Sequence, residues 1–478
     1  MMRRPVVPPF AVRRIVGATL TLAVLAGCAV GPDYQRPDAR LQLPEQYVAG
    51  AAPVAASPAI ASNWWTLFGD PQLDELVRRA LAGSPDALIA AARIEEADAL
   101  LRQVDAALLP QVDGNVASTR SHVSRTTATP MPATAPIVRD NTRFSLTTAF
   151  ELDVWGKLRR ASEAARAQAL GTRYASETVS LSLAATVVQA YLNLRALDAQ
   201  LLVTADSASS QAKSARLTRT RFEGGIASQL DVQQAEGALA SYTAAQLQLE
   251  KNRALAENLL GLLVGQPGLT VAPGDLRQLP VPPVPPAGLP SDLLEARPDV
   301  RQAESALIAA NAKIGVAKAA LFPSITLTGS LGRESKDLSQ LFSAPSAIWS
   351  FGAGLTQPIF EGGRLRAQVD QVSAQQKQSL ESYRKSVQTA FREVNDALVG
   401  VRRSGEAEDA YATAMNAARR SLQLAQARYD GGYSPYLEVL TAQRSANDAT
   451  LAWVQNRQAR LVAAVDLFKA LGGGWKGS

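Results

Sequence analysis

The clearest chemical signal in the sequence is a single cysteine near its start. Cys28 is the only cysteine among 478 residues, and it ends the run Leu25–Cys28, which has the form of a bacterial lipobox. The modification requires a thiol, because the lipid is attached through the sulfur. Residues 1–14 are positively charged and residues 15–25 are apolar but too short to span a bilayer, as in a secretory signal. We therefore predict a lipoprotein signal peptide over 1–27, with diacylglycerol and N-acyl chains on Cys28.

The residues around Cys28 also predict where the mature chain goes. Ala29 is not an acid, which in lipoproteins of this type usually indicates sorting to the outer membrane. Loss of the only thiol to a lipid suits an oxidising compartment. No apolar run of transmembrane-helix length follows. The alternative, an ordinary signal peptide with a chance cysteine, stays open at this point.

Few residues could carry catalysis or hold a metal. One histidine and one cysteine nearly exclude a histidine-based triad, a zinc site or a disulfide framework. No glycine-rich phosphate loop and no nucleophile–base pair occurs, although composition leaves Asp/Glu chemistry open. We interpret His122 as a solvated residue of an extracellular loop in the polar stretch 118–142. No enzymatic activity, no metal and no cofactor other than the lipid is expected.

The net charge of +6 gives no support for nucleic-acid binding. Four of the positive charges are arginines of the signal peptide, so the rest of the chain carries about +2 (6 − 4). No basic patch interleaved with aromatic residues occurs. We expect no nucleic-acid partner.

The chain contains an internal repeat. Two early segments recur 213 residues later, and a twelve-residue segment recurs 207 residues later with five identities. The first copy therefore has six extra residues, which we place in the stretch 118–142, because loops tolerate insertion. A proline-rich linker, 265–290, separates the copies. The matching pairs are 84–86 with 297–299, 106–110 with 319–323, and 221–232 with 428–439.

Each copy predicts a helix of unusual length. Residues 157–223 and 364–430 contain no proline, few glycines and many good helix formers. Such a run would reach roughly 100 Å at about 1.5 Å per residue, which indicates a coiled-coil or helical-tube element. Each ends at a Gly-Gly pair, after which a helix returns over 228–264 or 436–471. The turn residues are Gly224, Gly225, Gly431 and Gly432.

Each copy also predicts two strands. Clear alternation of apolar and polar residues occurs in 143–152, 324–331 and 349–355, and weak alternation in 111–119. Such segments suit a transmembrane β-barrel, and a half-buried soluble sheet has the same period. Four strands cannot close a membrane barrel, and an open edge cannot face lipid. If the strands are transmembrane, several chains must share one barrel. Expected lipid-facing residues are Phe144, Leu146, Ile325, Leu327, Trp349 and Phe351.

Four segments carry a resemblance to a known family. They are Cys28–Pro37, Asn63–Leu73, Leu294–Ile325 and Phe468–Trp475, and they cover the mature chain in the right order. On these segments the chain resembles the TolC-like outer membrane factors, in particular the OprM/NodT lipoprotein branch.

The resemblance implies an outer-membrane exit duct for small molecules such as drugs or toxic compounds. The implied fold class is α plus transmembrane β: a homotrimer with a 12-stranded barrel, four strands per chain, continued by a periplasmic α-helical barrel with a mixed α/β equatorial domain. Partners would be a periplasmic adaptor, an inner-membrane pump of RND type and outer-membrane lipid. The alternative is a structural coiled-coil envelope lipoprotein without transport, which the strand segments disfavour.

The same resemblance implies a gate at the periplasmic tip. The family pairs a tyrosine before the second turn with an aspartate after the first, at positions that match Tyr429 and Asp231. A reinforcing arginine falls at Ser434. The first acidic ring position matches Glu438, whereas the second is Thr441. We therefore expect a single acidic ring, from three copies of Glu438.

The expected organisation follows the repeat. It comprises the signal peptide 1–27, an N-terminal and equatorial segment 28–72, repeat 1 over 73–264, the linker 265–290, repeat 2 over 291–471 and a tail 472–478.

Overall fold

The computed structural model describes residues 29–37, 47, 60–126, 132, 134–285 and 293–475. The predicted signal peptide and Cys28 lie outside the described residues. Eight α-helices and four strands occur in the described part of the chain. The helices are α1 (Pro71–Gly83), α2 (Pro85–Ala106), α3 (Lys157–Glu223), α4 (Gln229–Val264), α5 (Leu293–Ala296), α6 (Pro298–Ala319), α7 (Arg364–Asp430) and α8 (Tyr436–Ala470).

The two long helices have the predicted bounds, and each contains 67 residues. Both end where a Gly-Gly pair permits a left-handed backbone, which other residues rarely adopt. The returning helix α4 begins one residue after the predicted start, because Ser228 is its N-cap. Pro110 and Pro323 lie in the short connections between a helix and a strand, as expected of residues that cannot continue a helix.

The four strands form one antiparallel sheet in the order β1-β2-β3-β4. They are longer than predicted: mostly polar residues extend β1, β2 and β3 at one end, and β4 gains Ala347, Ile348 and Thr356. His122 was wrongly placed in a loop: it is the last residue of β1 and pairs with Val138. The ends of the stretch 118–142 are thus strand. The bounds are β1 (Gln111–His122), β2 (Val138–Leu152), β3 (Ser324–Ser335) and β4 (Ala347–Thr356).

The strand pairing reproduces the internal repeat. When 213 is subtracted from each β3 residue number and 207 from each β4 residue number, every β3–β4 pair becomes a β1–β2 pair. The pair Ser324–Thr356, for example, falls on Gln111–Ala149. The offsets read from short sequence matches therefore hold through both hairpins.

The chain divides into two compact units that cut across the repeats. Among the described residues, the first comprises 29–37, 95–171 and 304–382, and it contains the whole sheet. The second comprises 47, 60–94, 172–285, 293–303 and 383–475. Each unit takes residues from both copies, so neither copy folds into a unit of its own.

The second unit has a hydrophobic core that includes residues near the start and the end of the described chain. Trp64 stacks on Phe468 with ring centroids 5.3 Å apart, and Trp65 packs edge-on against Trp64. Both tryptophans are buried. Among the described residues, no helix has the length and apolar character needed to cross a membrane.

Candidate functional site

One face of the sheet is apolar over its whole width. Residues directly opposite each other in an antiparallel pair lie on the same face, so the register fixes which side chains share it. Leu331 pairs with both Leu146 and Trp349, and Phe150 pairs with Leu327. The side chain of Trp349 is 78% exposed in the single chain. The face consists of Val112, Val116, Phe144, Leu146, Phe150, Leu152, Ile325, Leu327, Leu331, Trp349, Phe351 and Leu355. It includes all six residues that the sequence predicts to face lipid.

The opposite face carries hydroxyl, amide and charged side chains. Ser330 and Ser350 share a hydrogen bond of 2.8 Å across β3 and β4, and Asn115 donates to Thr147 across β1 and β2 at 3.1 Å. Thr326 pairs with Glu151 on the same face. A sheet with one apolar and one hydrophilic face can separate lipid from water. Apolar and polar residues alternate only weakly in β1, because Gly114 interrupts its apolar face.

The sheet has two open edges in the described part of the chain. β1 pairs only with β2, and β4 pairs only with β3. Unpaired backbone groups cost several kcal/mol each in hydrocarbon. A single copy of this sheet therefore cannot insert into lipid, because the backbone groups of its two edge strands would be unpaired.

The residues directly after Cys28 are held against the sheet unit. Val30 N–H donates to the carbonyl of Trp155 at 2.9 Å, and Ala29 lies against Gly156. Asp33 pairs with the buried guanidinium of Arg160. The segment is thus fixed at the junction of β2 and α3. Acylation of Cys28 itself stays a prediction.

The two Gly-Gly turns have the same geometry. Gly225 and Gly432 adopt φ values of +74° and +75°. Ile226 N–H donates to the carbonyl of Arg221 and Tyr433 N–H to that of Arg428, both at 2.8 Å. These bonds span six residues, as in a Schellman motif, and satisfy the last carbonyls of each helix. Together with the adjoining helix ends, we call these turns the tip.

The predicted gate residues lie at the tip with different partners. The Asp231 carboxylate accepts from the Ser228 N–H at 3.1 Å and from its hydroxyl at 2.7 Å, as half of a capping box. Glu438 lies 3.5 Å from the Arg428 guanidinium. Among the described residues no hydrogen bond joins Tyr429 to Asp231.

Tyr429 instead lies between two side chains that the sequence did not single out. Its ring centroid is 5.4 Å from that of Tyr436, and the guanidinium carbon of Arg221 is 4.9 Å from it on the ring face. Tyr436 and Arg221 both lie in the repeated segments, but the repeat does not indicate that they contact Tyr429.

A buried glutamine completes this arrangement. Gln211 Nε2 donates to the Tyr436 hydroxyl at 2.9 Å and to the Ala235 carbonyl at 3.1 Å. Burial raises the pKa of Tyr436 above its usual range, against the lowering effect of the bond from Gln211. No pattern in the sequence marks Gln211, because one polar residue on a long helix carries no periodic signal.

The second unit also contains a buried charge network. Arg195 donates to the Tyr191 hydroxyl, to Asp198 at 3.1 Å and to the Ala272 carbonyl at 2.7 Å. Arg253 reaches Asp198 from α4 at 2.6 Å. Burial raises the pKa of Tyr191 well above its ordinary value. The network joins α3, α4 and the linker. Each charged group in it has a partner within the network, so we assign it a structural role.

Comparisons with known proteins place these features among membrane channels. The family model described as outer membrane efflux protein matches residues 76–266 and 289–473. The toluene efflux pump outer membrane protein TtgF of Pseudomonas putida is 37% identical over 462 residues, covering 94% of this chain and 95% of the relative. The cation efflux system protein CusC of Escherichia coli is 34% identical over 460 residues, covering 95% and 97%.

Solved structures of outer-membrane channels are also similar to this chain. The outer-membrane channel OprN superposes with a TM-score of 0.85 at 31% identity, covering 94% of this chain and 100% of that one. The open state of the Neisseria gonorrhoeae MtrE outer membrane channel gives 0.83 at 30% identity, covering 94% and 99%.

Proposed function

Since the chain belongs to the outer membrane efflux protein family, we propose that three copies of it form the exit duct of a tripartite pump. Membership of this family makes it an outer-membrane component of an efflux system and confirms the fold class read from the sequence. Members of the family are channels rather than enzymes. The number of subunits, the partners, the cargo, the lipid and the gate belong to the proposal.

The observation that carries the proposal is the four-stranded sheet with one apolar face and two open edges. Three such sheets, joined edge to edge, supply twelve strands, which is within the range of membrane barrels. The apolar face then contacts lipid and the hydrophilic face lines a water-filled lumen. Closure satisfies the backbone groups of β1 and β4, which lipid could not do.

The partners are a periplasmic adaptor and an inner-membrane pump of RND type. Energy for transport comes from the pump, since this chain carries no nucleotide-binding signature in its sequence. The cargo is small organic molecules such as drugs and solvents. Relatives are named for toluene, solvent, antibiotic and cation efflux. With four methionines and one histidine in the whole chain, soft-metal cargo is the less favoured choice.

The lipid on Cys28 is a second anchor beside the barrel. Stable membrane attachment by acyl chains takes more than one chain or a second signal. Because the barrel itself is inserted, Cys28→Ser should impair maturation or sorting more than retention in the membrane.

The gate closes at the tip. In the closed trimer the Tyr429 hydroxyl reaches Asp231, and three copies of Glu438 form an acidic ring that attracts cations. In the alternative interpretation, Asp231 and Glu438 are ordinary acidic residues at helix starts, where the helix dipole favours a negative charge. The capping box of Asp231 supports that rival for Asp231 itself.

Single-channel recording tests the proposed function. Purified protein, reconstituted in a planar bilayer, should give discrete ion-conducting steps and should migrate as a heat-resistant trimer on gels. A structural envelope lipoprotein would give neither. A stable, membrane-inserted trimer without conductance would reject the duct, and membrane-bound protein with neither trimer nor conductance would favour that alternative.

A further inference from the structure

Gln211 is a buried amide that joins three helices near the tip. It lies on α3, about three turns before the end of that helix, and its side chain is 0% exposed. Its Nε2 atom donates to the Tyr436 hydroxyl at the start of α8 and to the Ala235 carbonyl of α4. A single amide thus holds the start of α8, which belongs to the second repeat, to both long helices of the first repeat.

The bond between Gln211 and Tyr436 lies among buried apolar residues of α3, α4, α7 and α8. Tyr436 is only 4% exposed. The Ser214 side chain, also on α3, is a second polar group beside its hydroxyl. A buried hydroxyl that loses a hydrogen-bond partner destabilises the state in which it is buried. The surrounding residues are Ala215, Ala235, Ala425 and Val439, with Tyr429 packed against them.

The second repeat has no equivalent of this bond. At the offset of 207 residues, Gln211 corresponds to Ala418 and Ala235 corresponds to Ala442. Both alanines line an open groove of about 610 Å³ between α7 and α8. Near the tip, α3 and α4 are therefore joined through a buried amide, whereas small side chains leave a groove between α7 and α8 at the equivalent level.

We propose that Gln211 is a positioning residue of the gate, which acts on Tyr429 through Tyr436. This rests on the duct and the gate of the proposed function. Gln211 holds the hydroxyl of Tyr436 and so fixes the ring against which Tyr429 packs, with the centroids 5.4 Å apart. The other side of that contact is the Arg221 guanidinium on the Tyr429 ring face. Loss of the amide releases the start of α8 from α3 and α4, which favours the open tip.

Single-channel recording of substituted trimers tests this role. Gln211→Met keeps the length of the side chain but removes the amide, so the buried Tyr436 hydroxyl loses the N–H that it accepts. The ratio of open to closed channels should rise roughly five-fold or more. Gln200→Met is the matched control, because Gln200 lies on the same helix about three turns further from the tip. An equal rise in both variants, or no rise for Gln211→Met, overturns the proposal.

A double variant tests whether the two residues act as one unit. Tyr436→Phe alone should also favour the open channel, because the Gln211 amide then loses an acceptor. In Gln211→Met with Tyr436→Phe, neither member of the pair is left without its partner, and such a joint replacement can be nearly neutral. The double variant should therefore open less often than either single variant, and additive effects overturn the coupling. If Gln211→Met alone forms no trimers, their recovery in the double variant supports the proposal and their absence overturns it.

Gln211→Glu gives a titration that a packing defect would not show. A neutral carboxyl can donate to the Ala235 carbonyl and accept from the Tyr436 hydroxyl, whereas a carboxylate cannot donate. Burial raises the pKa of such a carboxyl, so the open probability should be high at alkaline pH and fall on acidification. Tyr429 and Asp231 are other titratable groups near the hydroxyl, so the unsubstituted protein and Gln211→Met are recorded at each pH. A pH profile equal to that of Gln211→Met overturns the proposal.

Hydrogen exchange separates this proposal from the proposed function, because it requires no conduction. In detergent-solubilised protein, Gln211→Met should speed the exchange of backbone amides over residues 429–439. Exchange over residues 183–197, which belong to the core of the second unit, should not change. Unchanged exchange at the tip overturns the positioning role even if the duct conducts. Absence of conductance in the unsubstituted protein instead rejects the duct, and the exchange rates then decide the role of Gln211 alone.

Discussion

The guanidinium carbon of Arg221 lies 4.9 Å from the centroid of the Tyr429 ring, so the end of one long helix covers an aromatic side chain at the end of the other. The two residues come from different repeats. A contact of this kind contributes about 0.5–1 kcal/mol at an exposed site. It therefore holds the two helix ends together only weakly.

Replacement of Arg221 should loosen the tip. Arg221→Ala removes the cation over the ring, and a loss of about 0.5–1 kcal/mol changes the ratio of open to closed channels by roughly two- to five-fold. Single-channel recordings should show higher open probability. Arg219→Ala is the control, because Arg219 lies on the same helix, α3, but pairs with the exposed Glu236 of α4 instead. Equal effects of the two substitutions would count against the stacking contact.

The hydroxyl of Tyr429 gives a separate prediction. Tyr429→Phe keeps the ring beneath Arg221 but removes the group that would reach Asp231 in the closed trimer, so conductance should rise. Asp231→Asn should have the same effect while keeping a side-chain oxygen for the capping box with Ser228. Unchanged conductance in both variants would show that the closed state does not use this pair.

Glu438 and Arg428 should affect cation block in opposite directions. Glu438→Gln removes the proposed acidic ring and should weaken block by divalent cations added from the periplasmic side. Arg428→Gln removes the cation 3.5 Å from Glu438, which should strengthen that block because the ring loses a neutralising partner. The measurement is the blocking concentration for each variant, with trimer content checked on gels. Equal blocking concentrations in both variants and the unchanged protein would place the cation site elsewhere.

Adjacent strand residues should differ in their tolerance of charge. Leu327 pairs with Phe150 and Ala353 on the apolar face, whereas Thr326 pairs with Glu151 and Gly354 on the other. Leu327→Arg should destabilise the inserted barrel by roughly 2–4 kcal/mol if it lies near the bilayer midplane. Thr326→Arg should have little effect, because water can solvate the guanidinium. The yield of heat-resistant trimer distinguishes them, and equal yields would reject the assigned faces.

Mass spectrometry decides the state of Cys28. The intact mature protein should exceed the polypeptide mass from Cys28 onward by a lipid-sized increment. Cleavage by an ordinary signal peptidase would give the mass of the bare polypeptide. Cys28→Ser should lose the increment and accumulate unprocessed precursor while any mature protein stays membrane-bound.

The sequence predicted the parts of the fold that depend on local patterns. The bounds of α3 and α7 were correct because a long run without proline ends at a Gly-Gly pair, and both signals are local. The strands β1, β2 and β3 were predicted too short, because beyond Thr119, before Arg143 and beyond Leu331 the residues are mostly polar. His122 was placed in a loop for that reason. Pairing partners, rather than alternation, keep these residues in the sheet.

The contacts at the tip could not be predicted in the same way. Arg221 and Tyr429 are 208 positions apart, and Gln211 reaches Tyr436 across 225. Such contacts depend on how helices from different repeats align, which no single segment encodes. The gate residues came from resemblance alone. The resemblance marked Asp231, but its bond to Ser228 is explained by the local capping sequence.

Asp231 and Glu438 occupy equivalent positions in the two repeats, but they make different contacts. Ser228 gives Asp231 both a hydroxyl and an N–H to bind. Its counterpart is Pro435, which has neither and makes no side-chain cap, so Glu438 is left to pair with Arg428. Asp231 is therefore committed to the start of its own helix, whereas Glu438 is held by an exposed ion pair with the end of α7.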